Sequence, residues 1–426
     1  MTTQVYLDPD IGRPSEQLLA ERTKRIQEAM QLKQPDRIPI QFVMSYMLAE
    51  MYGITRQEQH EDGEKELDML EKAALHFQPD SIIGLYSAYR ANVVVGDRTI
   101  KLPGYGLPPN GSFQFVEGQY MKEEDYDAFL DDPTDWSLRK LWPRIFGELE
   151  GFALLPPLGL SAHNFLFLSN LGTFKSAPLA KALQSLGRAI EAQVAADERT
   201  LKTVQHMASL GFAPPAFAGS VISAPFDFMS DTLRGMRGIM LDIYRRPDKL
   251  LAAQEKVRRY LLEYAINWSL STGINVSFIP LHRGSDGFMS LKQFEKFYWP
   301  QLKALLLGLV KAGILPYVFY EGAWDQRLKH LAELPKAKTV GWFHASAIFK
   351  VKEILGDTMC IVGGMPNSLL KAGTVEQVRE LTIKLCQIVG KGGGFIMTTG
   401  VGEMEGSKPE LVKAWVDTTK EYGVYV

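Results

Sequence analysis

Apolar residues in the last quarter of the chain gather into four short runs, at residues 314–320, 339–343, 359–362 and 394–399. Each run is rich in β-branched or aromatic residues and too short for a helix. Each gives way to polar or glycine-bearing punctuation and then to a helical pattern. This alternation predicts βα units that feed a parallel sheet. In a closed barrel of such units, the residue ending each strand points into a shared mouth where chemistry is usually placed. Here those residues are Glu321, His344, Met365 and Glu403.

Upstream, apolar residues at Leu18, Leu19, Ile26, Met30 and Leu32 predict an amphipathic helix over residues 16–33. Residues 38–42 and 81–86 read as the first two strands, with helical patterns at 46–52 and 66–77. Residues 92–115 are broken by Gly96-Asp97, Pro103-Gly104 and Pro108-Pro109-Asn110-Gly111, which predicts a β-hairpin inserted over the mouth. Helical patterns follow at 122–129 and 138–152. The Leu155-Pro156-Pro157 break, with the loop running to His163, marks the end of an N-terminal elaboration. A long helix over 179–210 is expected to break at Gly187. Strands at 219–223 and 275–280 alternate with helices through 240–244, 247–272 and 291–311. The expected fold class is α/β: one (β/α)₈ barrel spanning residues 1–426, with an N-terminal helical elaboration and the 92–115 insertion.

Composition narrows the class. A 46% hydrophobic and 23% charged chain is an ordinary globular one. The formal net charge of −2 gives no electrostatic reason to expect nucleic acid or an anionic membrane surface. The most apolar helical stretch, at 302–310, has about half the length a bilayer span requires. No secretory signal is visible at the N-terminus. The only cysteines, Cys360 and Cys386, fall in an apolar strand and a helix and imply neither a disulfide framework nor a multi-thiol metal site. A reducing cytoplasm is the expected setting.

The strand ends carry the candidate chemistry. Glu321, leaving Tyr317-Val318-Phe319-Tyr320, would stand beside aromatic walls, and such desolvation suits a proton donor or a metal ligand. His344 ends the Val340-Gly341-Trp342-Phe343 run one unit later and is expected to work with it. Glu403 follows Gly400-Val401-Gly402. The loop from His282 to Gly287 gathers an imidazole, Arg283 and Asp286, a set that suits a carboxylate-bearing substrate, a metal, or an internal Arg283–Asp286 turn. Asp227, after Ser223-Ala224-Pro225, stands at another strand end, where an aspartate also caps the next helix. Tyr320, Trp324, Trp342 and Phe343 are candidate apolar walls.

Several segments together resemble the uroporphyrinogen decarboxylase superfamily. Glu21-Arg22 with Gln34-Pro35-Asp36-Arg37-Ile38-Pro39-Ile40 is similar to its opening. Leu355-Gly356-Asp357, Gly363-Gly364-Met365-Pro366 with Leu370 and Gly373-Thr374, Gly393-Gly394-Phe395-Ile396-Met397 with Gly400, and Pro409-Glu410 with the closing helix are similar to its C-terminal half. The resemblance implies a (β/α)₈ barrel. Its members include the tetrapyrrole decarboxylase and methyltransferases that pass methyl groups to or from corrinoids.

Two departures sort these activities. The decarboxylase carries an arginine-bearing motif after its first strand, where this chain has Val43-Met44-Ser45-Tyr46-Met47. The thiol-directed methyltransferases hold zinc through His-x-Cys and a late cysteine. The matching positions here are Phe319-Tyr320-Glu321-Gly322 and Val401. What remains resembles the methyl-donor side, with a methyl group taken from an O-methyl substrate such as a methoxylated aromatic. The acceptor would be a corrinoid (cobalamin) on a separate protein, since no Asp-x-His-x-x-Gly motif occurs in this chain. Glu321, His344 and His282 would act as acids, or Glu321, His344 and Glu403 as an oxygen/nitrogen zinc (Zn2+) set. A cofactor-independent lyase, with Arg283 anchoring a small carboxylic acid, and a non-catalytic binding barrel are the rival expectations. A homodimer is a further one.

Overall fold

The structure is a computed structural model that describes residues 8–84, 89–400 and 404–425. Its strands are β1 (Gln41–Val43), β2 (Ser81–Ile83), β3 (Ile100–Pro103), β4 (Gly106–Leu107), β5 (Gln114–Phe115), β6 (Ser220–Val221), β7 (Val276–Leu281), β8 (Leu315–Tyr320), β9 (Val340–Phe343), β10 (Cys360–Met365) and β11 (Phe395–Thr399). β6 to β11 form one parallel sheet in chain order, and β1 pairs in parallel with β2. Parallel bridges join the two sheets, Ile40 to Met397 on one side and Ser81 to Ala213 ahead of β6 on the other. Eight parallel strands, β1, β2 and β6 to β11, thus follow one another in a ring with helices between them.

Side chains alternate across this ring with the period of two that a strand imposes. Val43, Ile83, Tyr317, Phe319, Val340, Trp342, Val362 and Ile396 belong to one apolar cluster, which Phe217 and Phe278 complete. Those residues face the barrel interior. Their neighbours Phe42, Ile82, Val318, Tyr320, Phe343, Ile361 and Phe395 join the larger cluster built with the helices, among them Leu302, Val351, Val378 and Trp415. The aromatic interior explains why the barrel is a packed core and not a channel.

The end opposite the mouth is closed by charge. Asp80, just before β2 and fully buried, accepts from Ile40 N (2.7 Å) and from Arg37 Nη1 and Nη2 (2.8 and 2.9 Å), and it pairs with Arg25. Asp10 links Arg22 (3.1 Å) to Lys420 of the last helix (2.9 Å). Burial opposes the Asp80 charge, but Arg37, Arg25 and Arg22 outweigh it and hold the carboxylate well below the usual range. The first helix, β1, β2 and the C-terminal helix are therefore tied at one point.

Between β2 and β6 the chain departs from the expected pattern in two places. β3 pairs antiparallel with β5, Ile100 opposite Phe115, so a β insertion is present. Residues 92–95, expected within it, instead end the helix Tyr89–Val95. There Val95 packs with Leu149, Phe152 and Leu179, and this burial overrides the strand preference of a valine run. The helix Ala177–Ser209 also continues through Gly187, where a break was expected. One glycine costs roughly 1 kcal/mol, too little to interrupt a helix of that length. Of the expected strand at 81–86, residues 85 and 86 lie outside the described residues, as does Glu403. Among the described residues, no helix is long and apolar enough to cross a membrane.

Candidate active site

β7, β8 and β9 end side by side, and their ladder continues one residue further. Glu321 N donates to Leu281 O and His344 N to Tyr320 O, both at 3.2 Å. Leu281, Tyr320 and Phe343 face the helices. The next residues, His282, Glu321 and His344, therefore turn toward the mouth. Gly322 follows with φ +76°, a left-handed backbone that suits glycine, and its N–H donates to His344 Nδ1 at 3.1 Å.

His282 stands between two carboxylates. Its Nδ1 lies 2.6 Å from Asp231 Oδ2 and its Nε2 lies 3.5 Å from Glu321 Oε2. Asp227 fixes the backbone beneath it, accepting from His282 N (2.9 Å) and Arg283 N (3.0 Å), and from the Tyr298 hydroxyl (2.7 Å). Asp231 also accepts from Arg283 Nε at 2.9 Å. Burial draws the imidazolium pKa down, but the Asp231 hydrogen bond and the charges of Asp227, Asp231 and Glu321 prevail and raise it to about 9. At neutral pH both ring nitrogens then carry protons. Burial raises the Asp227 carboxyl above the usual carboxylate range and the Asp231 charge adds to this, while His282 and the Tyr298 hydroxyl oppose it. Burial and the Asp227 charge push Tyr298 well above its ordinary value.

The remaining candidates divide. Glu321 is expected beside aromatic walls, yet its side chain is 48% exposed and faces His282. His344 is half-buried beside Gly322 and lines a cavity of about 740 Å³ at the ends of β9 and β10 with Ser346, Met365, Asn367, Lys371 and Glu405. Glu321 is not among that cavity's walls, so the two residues expected to act together engage different groups. Arg283 is committed to Asp231, while Asp286 pairs with Arg327 at 2.8 Å, so the expected internal turn does not form. Asp227 holds the loop instead of capping a helix.

Of the expected apolar walls, Trp342 lies in the barrel interior against Phe319 (ring centroids 4.7 Å apart) and donates to Thr399 O. Tyr320 and Trp324 are fully buried in the helix-facing layer, one residue out of phase with the mouth. Phe343 stacks on Tyr320 at 4.8 Å and is one of the residues lining the cavity. Among the described residues, no group of three or more His, Cys, Asp or Glu side chains is placed to hold a metal ion. Of the donors expected for zinc, Glu321 faces His282 and His344 Nδ1 accepts from Gly322 N–H, while Glu403 lies outside the described residues.

Asp231 and Tyr298 are the site residues that sequence reasoning missed. Asp231 had a signal, since it follows Asp227 by four positions, the spacing that puts two side chains on one helical face. Tyr298 had none. Both sit in π-helical turns, Phe228–Arg234 and Phe294–Tyr298, a geometry found often at functional sites.

The sequence model of the uroporphyrinogen decarboxylase (URO-D) family matches residues 200–422, slightly more than half of the chain. The chain belongs to that family. The matched segment contains β6 to β11 and every site residue named above. Among solved structures, the fold is similar to that of a methyltransferase from Methanosarcina mazei, with a TM-score of 0.59 at 16% identity, covering 94% of this chain and 98% of that one. No curated protein matches this chain. Family and neighbour together agree with the (β/α)₈ barrel and with the resemblance in the motifs.

Proposed function

We propose that this member of the URO-D family is a methyltransferase that takes a methyl group from an O-methyl substrate, such as a methoxylated aromatic, and delivers it to a corrinoid held by a separate protein. The observation that carries this reading is the placement of His282 at the mouth, its ring held between Asp231 and Glu321, whose carboxylates favour the charged ring. An ether oxygen leaves poorly as an alkoxide or phenolate, so cleavage of its methyl bond needs a proton at that oxygen. The corrinoid supplies the nucleophile that accepts the methyl group.

This chain's residues do the rest. As the methyl–oxygen bond breaks, the oxygen keeps the bonding pair and takes the Nε2 proton of His282. Asp231 holds Nδ1 and so aims Nε2 outward, Asp227 fixes the peptide that carries the ring, and solvent returns the proton afterwards. Glu321, 3.5 Å from Nε2, pairs with the charged ring until substrate displaces it. The fold likeness to a methyltransferase and the lack of an arginine in Val43-Met44-Ser45-Tyr46-Met47 support this reading over tetrapyrrole decarboxylation. In the lyase alternative Arg283 would anchor the carboxylate through its Nη atoms, since its Nε is given to Asp231.

A direct screen tests the reading. The purified chain is mixed with reduced free cobalamin and a panel of methoxylated aromatics, and methylcobalamin is followed by its visible spectrum. Formation dependent on the chain supports methyl transfer. No methylation across the panel, with carbon dioxide released from a small acid without cobalamin, would establish the lyase instead.

A further inference from the structure

Neither His282 nor Glu321 lines the cavity of about 740 Å³ at the ends of β9 and β10. Its size is that of a small-molecule site, and its walls have the matching character, apolar with a few polar groups among them. Phe343, Ile348, Met365 and Leu381 supply apolar surface, enough to cover the body of a ligand. The polar groups decide what that ligand carries.

Three of them are donors with nothing to donate to. His344 Nδ1 accepts from Gly322 N at 3.1 Å, and a ring that accepts at Nδ1 carries its proton on Nε2. Ser346 Oγ accepts from Trp324 N at 2.9 Å, which leaves its O–H to donate. Lys371, on the helix Asn367–Ala372, folds back over Gly406. A Cβ built at Gly406 would lie 3.6 Å from its Cδ and Cε and 3.8 Å from its Nζ, so the glycine leaves room for the ammonium beside the cavity wall. Among the described residues, His344 Nε2, the Ser346 hydroxyl proton and Lys371 Nζ have no hydrogen-bond or ion-pair partner. Glu405, an acid on the same wall, is matched already, since its Oε2 accepts from Arg56 at 3.1 Å. Its Oε1 is buried without a hydrogen-bond partner and is open to a hydroxyl on the ligand. Three unspent donors, one of them cationic, select an anionic oxygen group. A single cation matches the single charge of a carboxylate better than the nearly double charge of a phosphate.

We propose that this cavity binds the carboxylate of the methyl donor through Lys371, His344 and Ser346, while the ether oxygen of the same molecule meets His282. One strand separates β7 from β9, so their ends stand roughly 10 Å apart. An aromatic ring with the ether oxygen on one side and the carboxylate on the other spans that distance with a hydrogen bond at each end. The part played by His282 rests on the methyl-transfer reading. The carboxylate site rests on its own donors.

Isothermal titration calorimetry of the full chain without cobalamin tests it. The probes are meta- and para-methoxybenzoate and their amides, which keep the shape and lose the charge. At least one acid is expected to bind about 10-fold tighter than its amide, the scale of a hydrogen bond to a charged group. Lys371→Met should abolish that preference and Lys371→Arg should retain it, with far-ultraviolet circular dichroism unchanged in both. Equal affinity of acid and amide in the wild type, absence of binding by both included, would overturn the proposal without recourse to any variant. So would a preference that survives Lys371→Met. The two readings fail separately. Methylcobalamin formed equally well from acidic and neutral methoxyarenes would remove the carboxylate site and leave methyl transfer standing. Preferential binding of the acid, lost in Lys371→Met, with no methylcobalamin from any donor would keep the site and remove methyl transfer.

Discussion

Replacing Asp231 by Asn isolates the interaction that keeps His282 protonated. The amide oxygen still reaches Nδ1, so the ring keeps its place while the charge is lost. In the wild type, the Asp231 hydrogen bond and three carboxylates overcome burial and raise His282 from 6.5 to about 9. At 1.36 kcal/mol per pH unit this corresponds to about 3 kcal/mol of preference for the charged ring. The His282 side chain is 39% exposed, and solvent screening reduces the contribution to stability to about 1 kcal/mol.

The sign follows from the direction. A raised pKa stabilises the fold fully below 6.5, and that contribution is lost as pH rises through about 9. Asp231→Asn should lower the His282 pKa by roughly 1–2 units, the usual effect of removing one adjacent charge. Arg283 loses its carboxylate partner in the same variant and adds positive potential beside the ring, which acts in the same direction. The assay is a nuclear magnetic resonance titration of histidine-labelled protein, with the His282 signal assigned by its absence in His282→Gln. A wild-type midpoint near 6.5, unchanged in Asp231→Asn, would refute the reasoning.

Asp80→Ala should cost about 3–5 kcal/mol in denaturant unfolding, since it leaves Arg25 and Arg37 without their buried carboxylate; a cost below about 1 kcal/mol would show that the network is not a clamp. Asp10 is held at about 2, Lys420, Arg37 and Arg22 outweighing its burial, so its contribution is present above the usual carboxylate range and lost as pH falls toward 2, visible as a lower melting temperature in acid. Cys360 and Cys386 are buried thiols, with Cys386 pushed up to about 12 by desolvation, so a thiol reagent should label neither in the native protein. Cys360→Ser with Cys386→Ser should keep turnover, measured in the methylcobalamin assay.

Much of the barrel was legible because its strands obey a simple rule. The runs at 314–320, 339–343, 359–362 and 394–399 each became a strand, and the ends of β7, β8 and β9 did bring His282, Glu321 and His344 side by side. The same rule misled where phase mattered. Tyr320 and Trp324 look like walls of a mouth, yet the period of two turns Tyr320 outward, and Trp324 packs against it in the helix layer. Pairing is the harder problem. That His282, and not His344, meets Glu321 depends on how far β7 and β8 extend relative to each other, and sequence spacing does not encode this. Asp231 reaches His282 from a π-helical turn, a local choice that an apolar periodicity does not reveal.

The central claim, that His282 protonates the leaving oxygen, is tested most directly by varying the leaving group. Turnover of His282→Gln is compared with wild type on a methoxyarene and on a methyl sulfonate ester, whose oxygen leaves without a proton. The account predicts a loss of at least about 100-fold on the methoxyarene and a change of less than about 5-fold on the ester. An equal loss on both would contradict it, because the imidazole would then be holding the site together instead of donating its proton.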